Sequence, residues 1–383
     1  MFDYIIVGSG FVGSIIAERI ASHLHKKVLI IEKRNHIGGN AYDFYNEEGI
    51  LVHKYGPHVF HTRSKEVWEY LSHFTDWNIY QHETLGFIDG RFVPIPFNIH
   101  SLHQLFPQFL ALRLEEKLID QFGYNNKVPI LKLKEIEDED LQYLANYIYE
   151  KVFLNYTIKQ WGVKPEELDP TVTGRVPVFV SKDNRYFQDP YQGTPKYGYT
   201  KMFENMLDHE NIKLLLNTDY KDIVSVNHGN GEMKVFNQSF NGKVIYTGPI
   251  DYFFDYKHGK LPYRSLQFIF ETHPMEKFQN TGQVNYPNDY EFTRITEFKH
   301  LTGQKHSKTT IAKEISLNYD AAKNEPYYPV KNNETQEQLK LYKKEAEKLH
   351  HIIFAGRLAE YQYYNMDAVV ARALKVFNEK ILK

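Results

Sequence analysis

Two short apolar runs flank a helical pattern at the head of this chain. Residues 3–7 (D-Y-I-I-V) form the first run and Val28–Ile31 the second. Unbroken runs of this kind suit strands buried on both faces of a parallel sheet. Between them Ile16, Ile20 and Leu24 recur at i, i+4, the spacing of one helix face. The strand pattern returns at 243–251 (K-V-I-Y-T-G-P-I-D) and at 352–358 (I-I-F-A-G-R-L), and a helical pattern follows over 366–382. Segment 98–168 reads differently, with Leu110, Leu114 and Leu118 on one helical stripe and 135–140 an acidic, solvated helix start. Alternation at 265–271 and 309–315 predicts half-buried antiparallel strands. The Gly- and Asn-rich stretch 227–241 predicts an exposed hairpin. There is no internal repeat and no low-complexity tract.

These patterns predict an α/β fold: a Rossmann-like dinucleotide domain, an inserted helical domain and an antiparallel β-sheet domain. The dinucleotide domain is discontinuous, drawn from 1–60, 196–260 and 345–383. The helical domain covers 98–168. The sheet domain, expected to cover the cofactor and hold substrate, takes 61–97, 169–195 and 261–344.

The glycines give this frame its first chemistry. Gly8, Gly10 and Gly13 form G-x-G-x-x-G between the first strand and its helix. Gly8 allows the tight turn, Gly10 admits a pyrophosphate to the backbone, and Gly13 lets helix pack on strand. Ser9, Phe11 and Val12 complete the turn, whose helix N-terminus carries the anion. Glu32 ends the second strand about 20 residues on, where a carboxylate can accept from ribose hydroxyls. Lys33, Arg34, Gly38, Gly39 and Asn40 follow at once, a second basic and flexible cradle beside the same pyrophosphate. NAD-binding folds do not usually need that second cradle. Flavoproteins of the glutathione-reductase and amine-oxidase type commonly have it, and by that resemblance the dinucleotide is FAD. The T-G-P turn after 243–246 and the Gly-Arg at 356–357 fit the same domain. A helix starting near Met366 could stabilise negative charge on a flavin ring.

Composition narrows the class. Lys and Arg number 46 against 48 Asp and Glu, so bulk charge does not point to nucleic acid. With no cysteine there is no disulfide, thiolate metal site or redox dithiol, and a flavin must work without a cysteine partner. No apolar stretch approaches the roughly 18 residues of a membrane helix. The first strand starts near residue 3, so no leader is expected and the expected compartment is cytoplasmic. Tyr (29) and Phe (26) are abundant, and most must be core. His58 and His61 lack a third ligand at usable spacing, so no metal is expected.

The remaining motifs share a second chemistry. They are Y-T-I-K-Q-W-G (156–162), G-R-V-P-V-F-V-S-K-D-N-R-Y-F (174–187), Asn285 with Thr293-Arg294, E-P-Y-Y-P-V (325–330) and G-R-L-A-E-Y-Q-Y-Y-N-M (356–366). Arginine forks and tyrosine hydroxyls suit a second pyrophosphate. Trp161 and Tyr156 offer stacking surface for a base.

Taken together, these strings make the chain resemble the bacterial-type UDP-galactopyranose mutases over essentially its whole length. H-K-Y-G-P-H-V-F-H-T, Y-Q-G-T-P, Y-T-G-P-I-D and Y-R-S-L belong to the same resemblance. It implies a homodimeric isomerase that interconverts UDP-galactose in its pyranose and furanose forms, supplying galactofuranose for cell-surface polysaccharide. FAD would act in its reduced form, with flavin N5 as nucleophile at the anomeric carbon. Carried over by motif, Arg175 and Arg294 neutralise the pyrophosphate, and Arg175 lies in a loop that closes on substrate. Tyr186, Tyr328 and Tyr363 bond the phosphates, with Tyr327 as a substitute for Tyr328. Tyr156, Thr157, Trp161 and Asn285 hold the uridine, and Phe153 lines that pocket. His61 sits beside flavin or sugar, with His58 its neighbour, and Arg357 contacts FAD. Two departures stand out. Asn365, before Met366, replaces a family aspartate, and Val152 takes the first position of the uracil pocket, often Phe. Some relatives also accept UDP-N-acetylgalactosamine. The competing readings are an amine-oxidase-type FAD oxidoreductase, which leaves the Arg–Tyr set unexplained, and a nonenzymatic nucleotide-sugar binder.

Overall fold

The computed structural model describes residues 2–167 and 177–382. Its centre is a five-stranded, wholly parallel sheet in the order Ile212–Leu215, Val28–Ile31, Tyr4–Val7, Lys243–Tyr246, Ile352–Phe354. The three inner strands are the unbroken apolar runs of the sequence, and helices or loops cover both their faces. On one face helices Phe11–Leu24, Tyr199–Leu207 and Met366–Val376 bury Ile15, Ile16, Ile20, Phe203 and Val370 against Ile6, Ile30 and Ile245. The other face is aromatic, with Tyr246, Phe253, Phe254 and Tyr342 packed among Ile5, Val7 and Leu29. Much of the Tyr and Phe surplus is spent here, each ring burying a large apolar area.

A seven-stranded sheet stands beside it. Its order is Tyr328–Pro329, Tyr263–His273, Thr309–Asn318, Arg294–Glu297, Gln283–Asn285, Thr84–Ile88, Arg91–Ile95. The sheet is antiparallel at every pair but one, because Gln283–Asn285 and Thr84–Ile88 run parallel. The helical region packs on its far end, where Ile88, Val93 and Ile95 join Leu114, Leu118, Leu144 and Ile148 in one core. Helix Glu139–Ile148 runs through a π-helical turn, Tyr149–Leu154, into helix Asn155–Trp161. Such turns re-aim the face that follows.

Two segments assigned to the sheet domain on sequence pack elsewhere. Helix Lys65–Ser72 buries Val67, Tyr70 and Leu71 in the core under helix Phe11–Leu24. Helix Asn333–Ala346 places Leu339 and Tyr342 in the aromatic layer of the parallel sheet. In both, the apolar face of the helix decides its partner. Among the described residues no helix is long and apolar enough to cross a membrane, and no group of His, Asp and Glu is placed to hold a metal ion.

Candidate active site

The carboxyl ends of the parallel strands open into a long cleft, the usual ligand position of such sheets. Gly8, Gly10, Phe11, Val12, Glu32, Lys33, Arg34, Gly38, Gly39, Asn40, His58, Arg357 and Met366 all line it. Its floor is backbone. Gly8 (φ +100°), Gly38 (φ +86°) and Gly39 (φ +56°) have left-handed conformations that favour glycine. The two glycine turns touch, since a Cβ on Gly39 would lie 2.9 Å from Gly10 Cα. A side chain on Gly39 would push the two turns apart. Gly13 and Ser9 do not line the cleft and act from behind it. A Cβ on Gly13 would collide with the Gly8 carbonyl, so Gly13 sets the helix–strand packing. Ser9 donates from its backbone nitrogen (2.9 Å) and its hydroxyl (2.8 Å) to Glu32 Oε2.

Glu32 is buried, and its Oε1 accepts from the Arg34 backbone at 3.0 Å. A carboxylate has roughly four acceptor sites, so ribose hydroxyls can still be bound. Arg34 is held on three sides: Nη1 donates to Asn40 (3.0 Å), Nη2 to Glu325 (2.9 Å), and its guanidinium lies 4.4 Å over the Tyr55 ring. Lys33 also pairs with Glu325, at 2.9 Å. Burial pushes the Glu325 pKa up, but Arg34 and Lys33 outweigh it and hold the carboxyl below its ordinary value. His58 donates from Nδ1 to the Gly56 carbonyl at 2.7 Å. That fixes Nε2 as the lone-pair nitrogen. Burial and neighbouring His53 pull its pKa to about 3, so the ring is neutral. This donor and acceptor set fits a flavin dinucleotide.

A second cluster adjoins the cleft through Arg357. Its Nη1 and Nη2 donate to the carbonyls of Tyr327 (3.3 Å) and Tyr364 (2.6 Å), and its cation lies 5.5 Å from both the Tyr328 and Tyr363 rings. Those rings pack on each other at 5.2 Å and on Trp161 at 5.8 and 5.6 Å. Tyr327 lies just before strand Tyr328–Pro329. It lines the cofactor cleft and packs on Tyr55, so it is no substitute for Tyr328. Arg294 donates from Nε to Glu314 Oε2 at 2.8 Å, and its Nη2 is ion-paired with the same oxygen at 2.7 Å, so Nη1 lies off that pair. Burial lowers its pKa, and Glu314 more than reverses this, so the guanidinium is permanently charged. Burial raises the pKa of Tyr156 and Tyr328, which therefore stay neutral hydroxyl donors. Asn285 pairs in register with Arg294, and its Oδ1 accepts from Gln283 at 3.1 Å. Thr157 and Trp161 lie on the buried side of helix Asn155–Trp161.

Other expected residues take different places. His61 does not line the cleft: Nδ1 meets Asp189 at 2.6 Å, and the ring stacks on Phe187 at 3.6 Å. It approaches the second cluster through Phe187, which packs on Tyr186 and His82. Val152 is buried in the helical core, so it cannot stack on a base, and Phe153 packs against the same core. Asn365 is the exposed N-cap of helix Met366–Val376, with no side-chain bond to the helix end. Arg175 lies outside the described residues.

Sequence reasoning missed Glu314, Glu325 and His82, and left Lys159 and Arg264 without roles. Glu314 had a signal, an acid inside an apolar alternation at 309–315. His82 had none.

Three comparisons bear on this arrangement. The family model for UDP-galactopyranose mutase matches residues 151–363, and one for an NAD(P)-binding Rossmann-like domain matches 6–74. The UDP-galactopyranose mutase of Mycoplasma pneumoniae is 35% identical over 381 residues, covering 97% of this chain and 94% of its own. The dTDP-fucopyranose mutase of Escherichia coli is 34% identical over 378 residues, covering 98% and 97%. A crystal structure of reduced UDP-galactopyranose mutase superposes with a TM-score of 0.74 at 16% identity, covering 99% of this chain and 93% of that one. Glycine-floored cleft, arginine–tyrosine cluster and near full-length similarity converge: the chain belongs to the UDP-galactopyranose mutase family of FAD-dependent isomerases.

Proposed function

We propose that this enzyme interconverts UDP-galactopyranose and UDP-galactofuranose by ring contraction, without net redox change. The bound reduced flavin supplies the nucleophile for the anomeric carbon at its N5. The chain's own work is to bind, orient and neutralise. Trp161 and Tyr156 stack on the uracil, Asn285 donates to it, and Thr157 closes the same side. Arg294 takes the diphosphate on its Nη1 edge, and Tyr328, Tyr363 and Tyr186 donate hydroxyl hydrogens to its oxygens. These charge-assisted bonds strengthen as negative charge gathers on the departing UDP. Arg175 is assigned the second phosphate contact by its motif. The single observation that carries the reading is Arg357, which ties the tyrosine pair to the cofactor cleft. A nucleotide sugar held by one would thus present its sugar to the other.

The test incubates UDP-galactofuranose with dithionite-reduced protein and resolves the products by chromatography. UDP-galactopyranose is expected, and oxidised protein should give far less. UDP binding without turnover would sink the enzyme reading, and amine-dependent flavin reduction would favour an oxidase. The similarity to a dTDP-fucopyranose mutase supports a second substrate reading, so dTDP-fucopyranose and UDP-N-acetylgalactosamine belong in the same assay. Arg175→Ala should lower turnover at least about tenfold, since a charge-assisted phosphate contact contributes about 1.5–3 kcal/mol.

A further inference from the structure

One half-buried cation beside the second cluster points its charge at backbone carbonyls. Lys159 leaves helix Asn155–Trp161 and donates from Nζ to three backbone carbonyls, Tyr286 (2.5 Å), Tyr290 (3.0 Å) and Phe292 (3.4 Å). These carbonyls belong to the turn of one hairpin, between strands Gln283–Asn285 and Arg294–Glu297. The first rung of that hairpin is Asn285 opposite Arg294. The helix presents Tyr156, Thr157 and Trp161 to the base, and the hairpin presents Arg294 to the diphosphate. The ammonium is thus a bolt between the two halves of the nucleotide pocket. Asn288 adds a weaker tie, donating to the Lys151 carbonyl and accepting from Asn155, each at 2.9 Å. Arg264 also braces the helix by donating to the Lys159 and Gln160 carbonyls at 3.1 and 2.9 Å.

We propose that Lys159 is a positioning residue that sets the distance and angle between the base-holding helix and the diphosphate-holding hairpin. The inference rests on the nucleotide reading given above. A ligand that spans both halves profits from their being pre-aligned, whereas one that touches a single half does not. Lys159 therefore serves UDP and not uridine.

The experiment compares competitive inhibition by UDP and by uridine in the holoenzyme and in Lys159→Met. Ki for UDP should rise at least about tenfold, roughly 1.4 kcal/mol. Ki for uridine should stay within about twofold and kcat at saturation within about threefold. FAD absorbance reports an intact fold. If Lys159→Met does not fold, Asn288→Ala should give the same pattern with a smaller amplitude. Equal weakening of UDP and uridine would mean that the helix itself has lost its shape, and that overturns the proposal. Unchanged UDP inhibition overturns it too, while leaving the nucleotide reading intact. A wild-type enzyme inhibited by neither compound overturns both.

Discussion

The cofactor cleft and the nucleotide-sugar pocket adjoin at Arg357, yet they are built from different material. The cleft floor is made of backbone: four glycines at positive φ, two turns in van der Waals contact, and a carboxylate fixed by its neighbours' amides. The two glycine turns lie within residues 8–40, so local order shapes them, while Glu325, Gly356, Arg357 and Met366 join from far along the chain. The pocket is made of side chains sent from a helix, a hairpin, a sheet edge and a late loop. It exists only once those elements have packed, and buried charge pairs hold it. Backbone sites therefore fail through shape, and side-chain sites through charge and alignment.

The largest expected effect tests the first half of that contrast. Gly13→Ala drives a methyl into the Gly8 carbonyl at the centre of the cleft floor. Overpacking of this kind costs about 1–3 kcal/mol. More importantly, it displaces the turn that must meet the pyrophosphate. Purified protein should carry less than about a tenth of the normal FAD, read from its absorbance. Full FAD content would show that the floor yields more than a backbone site should.

Arg294→Ala comes next and tests the second half. It removes the diphosphate contact and leaves the buried Glu314 unpaired, which costs about 3–5 kcal/mol of stability. Turnover should fall at least about a hundredfold and the melting temperature should drop, with FAD still bound to folded protein. Adding Glu314→Ala should restore the melting temperature but not turnover. If the double variant regained activity, Arg294 would serve stability alone. Trp161→Ala is milder. Losing a stacking surface of about 1–3 kcal/mol should weaken UDP binding roughly 5- to 150-fold by calorimetry and leave FAD content unchanged. Loss of FAD would show that the two sites share more than Arg357.

The same contrast explains what could be read without a structure. Gly8, Gly10, Gly13, Glu32 and the Gly38-Gly39 pair were legible because a cradle of consecutive residues leaves its spacing in the chain. The parallel strands were legible for the same reason, as unbroken apolar runs. The pocket residues carried no spacing of their own, and only the resemblance of whole motifs brought Tyr156, Asn285, Arg294, Tyr328 and Tyr363 into one list. Their supports escaped that list. Glu314 looks like any charged position on an alternating strand, and Lys159 like a solvated helix lysine, until its three carbonyl partners arrive from residues far along the chain. Helices Lys65–Ser72 and Asn333–Ala346 were misplaced because an amphipathic stripe states that a helix packs and not on what.

The smallest effect asks whether both sites are equally dry. His58 faces the cleft, and His82 lies beneath the pocket, buried with its Nε2 bonded to Thr84 Oγ1 at 3.2 Å. Burial first, then the nearby positive groups, pulls both to a pKa of about 3. The unfolded chain protonates its histidines near pH 6.5 and the folded chain does not, so the unfolded state gains protons as pH falls. Each histidine thus contributes stability that is fully present above about pH 6.5 and is lost progressively toward pH 3. Between pH 7.5 and 6.0 the loss should be about 1 kcal/mol per histidine, read as a fall in denaturation midpoint. Imidazole NMR titration separates the two rings. Neither should titrate above pH 5. A pocket aligned from separate elements is the easier of the two to wet, so a His82 that titrates near 6 beside a silent His58 would show its packing to be looser than the cleft's.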